Sequence, residues 1–448
     1  MEKALLSQEE ITLARHCLSF AQEQGAQGVR ITLSKSLMNL IGLLNGEVDK
    51  TAHALDRSLQ LQLFVDGRYG AFSSNRLEKE GLEEFIREAI GTVRMLEADA
   101  CRTLPAPERL CKNATDGKEL NLYDPSYETL TADQRKQLAL SSMAWPGEKG
   151  EGWKLIAEEG EYSDSVFDSV TLDSQGLFAR HTETSFEIGY ETTVEDKDGN
   201  HWSSYWWDAS PRLEDLGLKD CAQKALQRAV AQIGPQAIPG GKYTVVVDSE
   251  CASKLLTPVL NALGGFALQQ KNSFLTGSLG KKLFPESLTV MDAPLTPGET
   301  GCRLFDSEGV ATKEMPIIQN GVVSTYFLNT YIASKMDMAP TVEDATRVKV
   351  LPVGDCLSRA DVLREMGSGI LVTGFNGGNS NPATGNFSYG IEGFAFNEGI
   401  ISHPVREALI TGNFLTLWNN LAAAAQDARS CMSKLIPTLA FKDVDVSA

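Results

Sequence analysis

The segment Ser58-Leu59-Gln60-Leu61-Gln62-Leu63-Phe64-Val65 decides the first part of the fold. Its leucines alternate with glutamines, which is the period of a strand with one buried face. Asp66-Gly67 follows, a dipeptide that favours a two-residue hairpin turn, and Arg68 to Ser73 continues as a return strand. The segment therefore predicts an antiparallel hairpin.

Helices are predicted on both sides of this hairpin. Ser7 and Glu10 have the spacing of a capping box, and the apolar residues that follow share one helical face until Gly25. Residues 78–96 also carry apolar side chains at helical spacing. The first hundred residues are therefore predicted to form a compact β-then-α unit.

The rest of the chain groups its strands and helices instead of alternating them, which predicts an α+β fold with β-then-α N-terminal units followed by a strand-rich C-terminal domain. Helices are expected at 131–142, 216–233, from 250 onwards and at 358–366, and strands within 153–207, at 243–247 and at 370–375. The predicted domains are an N-terminal α/β unit at 1–105, a central strand-rich region at 106–235 and a C-terminal domain at 236–448.

Composition restricts the class of function. Lys+Arg 41 against Asp+Glu 59 gives a net charge of -18, without a basic cluster for phosphate binding, so no direct nucleic-acid partner is expected. The first residues do not read as a signal peptide, and no apolar run is long enough for a membrane span. The 8 cysteines are scattered without a C-x-x-C pair, which is typical of a reducing compartment. We expect a cytoplasmic protein without a membrane partner.

A search for catalytic motifs finds few signals. The 5 histidines include no H-E-x-x-H pair, and phosphate-binding loops and G-x-S-x-G elbows are absent from the sequence. No cofactor is expected. Two segments are functional candidates: a predicted Gly/Asn-rich loop at 376–385, which also fits a wide structural turn, and an aromatic run of Trp202, Tyr205, Trp206 and Trp207. The run fits either a strand that packs alternate rings or a peptide-binding surface.

Several ordered segments resemble the TldD/PmbA family, whose members have been described as modulators of DNA gyrase. The resemblance covers nearly the whole chain. It rests on Leu63 to Gly70, Gly240 to Asp248, Phe305 to Gly309, Gln319 to Gly321 with Tyr326 to Tyr331, Asn381 to Ser388, Asn397 to Gly399 with Pro404-Val405, and Thr411 to Asn413.

The family that this chain resembles has two branches. TldD-like members resemble metallopeptidases with His-Glu-x-x-x-His on the helix after the Val-Val-Val strand and a distant cysteine. In this chain Thr257, Pro258 and Ala262 occupy the corresponding positions, and Cys431 lies near that of the cysteine. None of the first three side chains can ligate zinc or act as a base. The resemblance therefore points to the PmbA/TldE branch, with no metal. Pro258 predicts a kink or a new helix start, with Thr257 as the N-cap.

This branch implies a non-catalytic subunit that pairs with a TldD-like chain, or with itself, and binds unfolded peptides for proteolysis. The chain is not expected to be an active enzyme alone. Candidate peptide-binding residues lie in the family motif and directly after it, namely Asn381, Thr384, Asn386, Phe387, Ser388 and Tyr389. Two alternatives stay open: a non-enzymatic modulator that binds gyrase or a related protein, and a hydrolase that uses a cysteine or Ser388 as nucleophile.

Overall fold

The computed structural model describes residues 5–145 and 149–447. Apart from the undescribed residues, the chain divides into two compact units. Unit 1 comprises Met1–Arg228, Leu295–Thr312 and Asn329–Val342. Unit 2 comprises Ala229–Pro294, Lys313–Leu328 and Glu343–Ala448. The three domain boundaries expected from the sequence stay a prediction.

The described residues form helices and strands that are numbered along the chain. The α-helices are α1 Gln8–Glu23, α2 Lys79–Val93, α3 Ala132–Leu140, α4 Cys221–Ala231, α5 Ser253–Ala262, α6 Gly265–Gln269, α7 Thr330–Lys335, α8 Arg359–Met366 and α9 Phe414–Asn419. Short 3-10 helices span Pro107–Arg109, Pro125–Thr129 and Leu213–Asp215. The strands are β1 Gly28–Leu44, β2 Glu47–Val65, β3 Arg68–Ser74, β4 Lys149–Gly150, β5 Trp153–Asp173, β6 Phe178–Asp196, β7 His201–Ser210, β8 Gly241–Val247, β9 Val290–Asp292, β10 Met315–Gln319, β11 Val322–Val323, β12 Val348–Val350, β13 Gly369–Ser380, β14 Asn386–Asn397, β15 Ile400–Asn413, β16 Leu421–Ala424, β17 Lys434–Leu435 and β18 Leu439–Ser447.

Unit 1 is built on one long antiparallel sheet in the order β3-β2-β1-β5-β6-β7, with β4 paired to β5. Alternate residues of its strands form a buried face, against which α1 and α2 pack at one end and α3 and α4 at the other. Phe186, Ile188 and Tyr190 are among these buried residues, as their alternation predicted. The other face is richer in polar side chains, such as the paired Thr32 and Thr171.

Two local predictions in unit 1 are confirmed. Ser7 and Glu10 form the capping box of α1. Asp66 and Gly67 have positive φ angles of 51° and 72°, which is the conformation of a two-residue hairpin turn between β2 and β3. Both features depend on contiguous residues, which is why the sequence predicts them.

The described part of unit 2 forms two sheets. The smaller has the order β11-β10-β9-β12-β17, and the larger has the order β15-β14-β13-β8-β18-β16. β15 also pairs with β18 through residues 409–411, so five strands of the larger sheet close into a ring. The β8–β13 pair is parallel and the other pairs of this sheet are antiparallel. The α+β class expected from the sequence is therefore observed, with a strand-rich C-terminal half.

The predicted Gly/Asn-rich loop is partly wrong, because residues 376–380 belong to β13 and only 381–385 form the turn to β14. Two register shifts in β13, at Val372/Gly374 and Phe375/Gly377, let this segment stay paired to β14. Gly378 has a φ of 88°, and a Cβ there would lie 2.0 Å from the carbonyl oxygen of Ser388. Glycine is therefore needed for strand pairing at this position, where composition favours a loop.

The predicted new helix start at Thr257 is also wrong. α5 runs from Ser253 to Ala262 with Pro258 inside it, and its N-cap is Ala252. Proline removes one intrahelical hydrogen bond, the one that would be accepted by the Lys254 carbonyl. The next carbonyl, that of Leu255, accepts a hydrogen bond at 3.3 Å from the indole nitrogen of the buried Trp418. Trp418 thus anchors the turn next to the carbonyl that proline leaves without an intrahelical donor.

Candidate functional site

The junction between β8 and α5 is held by Asp248. Its carbonyl accepts the amides of Cys251 at 3.0 Å and Ala252 at 2.9 Å, which closes the turn that leads into α5. Its carboxylate accepts the amide of Glu250 at 3.1 Å and pairs with the guanidinium of Arg359. These contacts fix the helix that, in the family resemblance, corresponds to the metal-binding helix.

The three positions that match the metallopeptidase motif lie on this helix. Thr257 and Pro258 are half-buried, and Ala262 is 2% exposed. They offer a neutral hydroxyl, a ring without a donor and a methyl group, whereas zinc sites use imidazole, thiolate or carboxylate. The residues present therefore do not fit zinc.

Cys431 lies in the segment between β16 and β17 and is 6% exposed. A single thiolate cannot complete a tetrahedral zinc site without further ligands. Across residues 5–145 and 149–447, no group of three or more His, Cys, Asp or Glu side chains is placed to hold a metal ion. The sequence interpretation of 257, 258, 262 and 431 as vestigial positions stays a prediction.

Residues 376–380 form an exposed edge, which we call the β13 edge segment. β13 pairs with β8 only through residues 370–372, so beyond Val372 only β14 accompanies it among the strands of the described residues. Residues 376–379 are exposed. Sequence reasoning selected this region for its glycines and asparagines, but the strand edge could not be foreseen because it depends on where β8 ends.

Three of the candidate peptide-binding residues shape the turn after this edge. Asn381 Oδ1 accepts the amides of Ala383 at 2.9 Å and Thr384 at 3.1 Å, and Thr384 Oγ1 accepts the amide of Asn386 at 3.3 Å. The side-chain nitrogen Nδ2 of Asn413 donates a hydrogen bond to Asn386 Oδ1 at 2.9 Å. Asn381, Thr384 and Asn386 remain exposed while they make these contacts.

Two other candidates, Phe387 and Tyr389, are buried. Phe387 stacks on Phe414 with ring centroids 4.8 Å apart and on Tyr389 at 5.4 Å. These rings support the strand from inside and present little surface to a ligand. Lys254 of α5 lies 4.8 Å from the ring centroid of Tyr389, whose cross-strand partner is Gly378. The Lys254 side chain of α5 therefore reaches the strand that pairs with the β13 edge segment.

Ser388 and two of the cysteines lack the surroundings that nucleophilic catalysis requires. Ser388 is flanked across the sheet by Asn379 and Thr411, and neither side chain can act as a general base. Burial raises the pKa of the Cys17 thiol to about 11, and burial with a hydrogen bond to Glu365 raises that of Cys356 to about 12. Reactive cysteines need a lowered pKa. Ser388, Cys17 and Cys356 therefore do not favour the hydrolase alternative, which is untested for the other cysteines.

The aromatic run on β7 divides between the two faces of its sheet. Trp202 is buried and donates from its indole nitrogen to Asp196 at 2.9 Å, which contributes to lowering the pKa of that carboxyl to about 2. Trp206 packs beneath Lys224 and Arg228. Tyr205 and Trp207 face the opposite side. The packing interpretation therefore holds for Trp202 and Trp206, and a peptide-binding role for Tyr205 and Trp207 stays a prediction.

Comparison with known proteins identifies the family to which this chain belongs. Successive parts of the chain match three sequence profiles: PmbA/TldA metallopeptidase domain 1 over residues 29–92, the central domain over 137–233 and the C-terminal domain over 240–448. A crystal structure from Bacteroides thetaiotaomicron VPI-5482, of a protein named as a candidate modulator of DNA gyrase, is 36% identical, has a TM-score of 0.92 and matches over 99% of both chains. The chain belongs to the PmbA/TldD family.

More distant PmbA/TldD relatives match over similar lengths. The protein named Metalloprotease PmbA in Escherichia coli O157:H7 is 26% identical over 427 residues, which are 92% of each chain. The structure of TldE from Thermococcus kodakarensis has a TM-score of 0.82 and covers 97% of this chain and 100% of its own. Its sequence identity is 19%, so this similarity is evidence for the fold only. Among the described residues, none of the helices combines the length and apolarity that a bilayer crossing needs.

Proposed function

We propose that this chain is a TldE-like, non-catalytic subunit that binds unfolded peptides for a TldD-type partner, which supplies the catalytic zinc. The observation that carries this proposal is the set of side chains on α5. Where the metallopeptidase branch of the family has two histidines and a glutamate, this chain has Thr257, Ala262 and Pro258. A zinc-bound water and its base cannot be assembled from a hydroxyl, a methyl and a proline ring.

The peptide would bind as an added strand. The β13 edge segment offers main-chain groups along one edge, and strand addition binds many sequences because it relies on the backbone. It also requires an extended substrate, which excludes folded proteins. Of the candidate side chains, Asn381, Thr384, Asn386 and Ser388 lie near this edge, whereas Phe387 and Tyr389 support it from the core.

The partner would be a TldD-like chain, with a homodimer as the form of the protein alone. A specific pairing of this kind buries more than about 1,000 Å². In this arrangement the present chain shapes the peptide-binding surface, and proteolysis depends on the zinc-bearing subunit.

Reconstitution tests this function. The chain is purified alone, mixed with the TldD-type chain of the same genome, and assayed with an unstructured fluorogenic peptide. We expect no hydrolysis by the chain alone, with or without added zinc, and EDTA-sensitive hydrolysis by the mixture. The mixture should elute as a heterodimer in size-exclusion chromatography.

The matched control is a TldD-type chain whose motif glutamate is replaced by glutamine. It should still pair with this chain but should not cleave. EDTA-sensitive turnover by the single chain would refute the proposal, and so would affinity capture that recovers gyrase and no TldD-type chain.

A further inference from the structure

A concave site lies on the polar face of the unit 1 sheet, in the half of the sheet that β7 borders. It has a cavity volume of about 510 Å³ and is formed by β1, β2, β5, β6 and β7. We call it the acidic groove because five carboxylates line it against one lysine, Lys50. The carboxylates are those of Asp49, Glu159, Glu161, Glu187 and Glu191.

Strand register explains how the groove forms. Leu44, Glu159, Glu191 and Tyr205 are cross-strand neighbours in one row. The next row contains Gly42, Glu161, Gly189 and Trp207. Directly opposed residues of an antiparallel sheet point to the same face. Gly189 has no side chain beside Glu161, Lys50 covers Gly42 on the other side, and the rings of Tyr205 and Trp207 border the groove along β7.

The charges in the groove are only partly compensated. Lys50 lies over Gly42, with its ammonium 3.4 Å from Glu161. Glu159 and Glu191 are exposed and directly opposite each other, and neither makes an ion pair or side-chain hydrogen bond within the described ranges. Like charges in this position destabilise a sheet. A bound cation would relieve this repulsion.

Aromatic rings add a second reason for a cationic occupant. Tyr205 is 57% exposed and Trp207 is half-buried, and both line the groove. The faces of tyrosine and tryptophan attract ammonium and guanidinium groups, and carboxylates pair with the same groups. The groove therefore combines a concave shape, unpaired carboxylates and aromatic rings on one face of the sheet.

We propose that the acidic groove binds lysine or arginine side chains of an extended polypeptide. Resting on the proposed function, this inference names basic unfolded segments as the preferred substrate class. The spacing of adjacent rows on one strand, two residues or about 6.6 Å, matches the spacing of side chains that point the same way in an extended peptide. Anionic polymers would be repelled from the same site.

Binding of a designed peptide to the full chain tests the inference. The probe is an unstructured peptide with lysine at alternate positions, and its comparison peptide carries glutamine at those positions. We expect the lysine peptide to bind at least about tenfold more tightly at low ionic strength, with most of the difference lost at about 0.5 M salt, because exposed charge pairs are screened.

The key variant is the double substitution Glu159→Gln with Glu191→Gln. It keeps side-chain shape and should weaken lysine-peptide binding about five- to tenfold, since two exposed charge pairs are lost. The thermal midpoint should not fall, because a repulsive pair is removed. The matched control is Glu23→Gln with Glu97→Gln, two exposed carboxylates outside the groove, which should change binding less than about twofold.

Trp207→Leu tests the aromatic border of the groove and should weaken the lysine peptide more than the glutamine peptide. The inference is overturned if both peptides bind equally, if neither binds, or if the groove variant behaves like its control. Cleavage by the reconstituted complex without preference for basic peptides would refute the groove inference and leave the proposed function standing. If the chain binds basic peptides selectively but no cleavage occurs with the partner, the groove inference stands and the proposed function is refuted.

Discussion

Asp168→Ala is expected to lower the free energy of unfolding by about 3–5 kcal/mol, since it would leave the guanidinium of Arg180, whose side chain is only 18% exposed, without its carboxylate partner. The Asp168 side chain is fully buried on β5. It accepts hydrogen bonds from Arg180 at 2.9 and 2.6 Å, from Thr182 Oγ1 at 2.9 Å and from the amide of Leu6 at 2.8 Å. These contacts join the segment before α1 to two central strands, β5 and β6.

The measurement is urea unfolding, with amide exchange in β5 and β6 as the local reporter. Asp168→Asn should cost less than the alanine variant, because an amide oxygen still accepts part of the network. Lys154→Ala is the matched control: its ion pair with Glu195 joins the same two strands, but the lysine is 59% exposed. That variant should change stability little, since exposed pairs contribute little. Equal losses for Asp168→Ala and Lys154→Ala would contradict the role given to the buried network.

Trp418→Ala is expected to be comparably severe in unit 2, at about 3–5 kcal/mol, because it creates a large cavity. Trp418 is fully buried, packs edge-to-face on Phe441 at 5.4 Å and donates to the Leu255 carbonyl of α5. The variant should also increase amide exchange in α5, where Pro258 already removes one intrahelical hydrogen bond.

Trp418→Phe separates packing from the hydrogen bond. It keeps an aromatic ring and loses the indole donor and part of the volume, so a cost of about 1–2 kcal/mol is expected. A phenylalanine variant as unstable as the alanine variant would show that the indole hydrogen bond, and not cavity formation, dominates. An alanine variant with unchanged exchange in α5 would contradict the proposed support of the proline-containing helix.

Predictions from sequence succeeded where a feature depends on neighbouring residues. The capping box of α1 and the turn at Asp66-Gly67 are such features, and both are confirmed. The helix through Pro258 shows the limit of this reasoning. Local rules for proline favour a break, but the tryptophan that bonds to α5 comes from residue 418, which is distant in sequence.

The candidate site was predictable only in part. The side chains at 257, 258 and 262 can be read directly from the sequence, so their inability to hold zinc needs no structure. The β13 edge segment and the acidic groove depend on strand register, for example on Glu159 lying opposite Glu191. The glutamates of β5 and β6 are regularly spaced in the sequence, but the sequence does not show which glutamate of β5 pairs with which glutamate of β6.

Zinc content measured on the purified chain is the most direct test of the central claim, which is that α5 cannot build the metal centre of its relatives. The chain is dialysed against zinc, freed of excess metal and analysed by mass spectrometry, with the TldD-type partner treated in parallel. We expect less than about 0.1 zinc per molecule of this chain and about one in the partner, because only the partner supplies a full ligand set. One tightly held zinc per chain that disappears in Cys431→Ala would contradict the account.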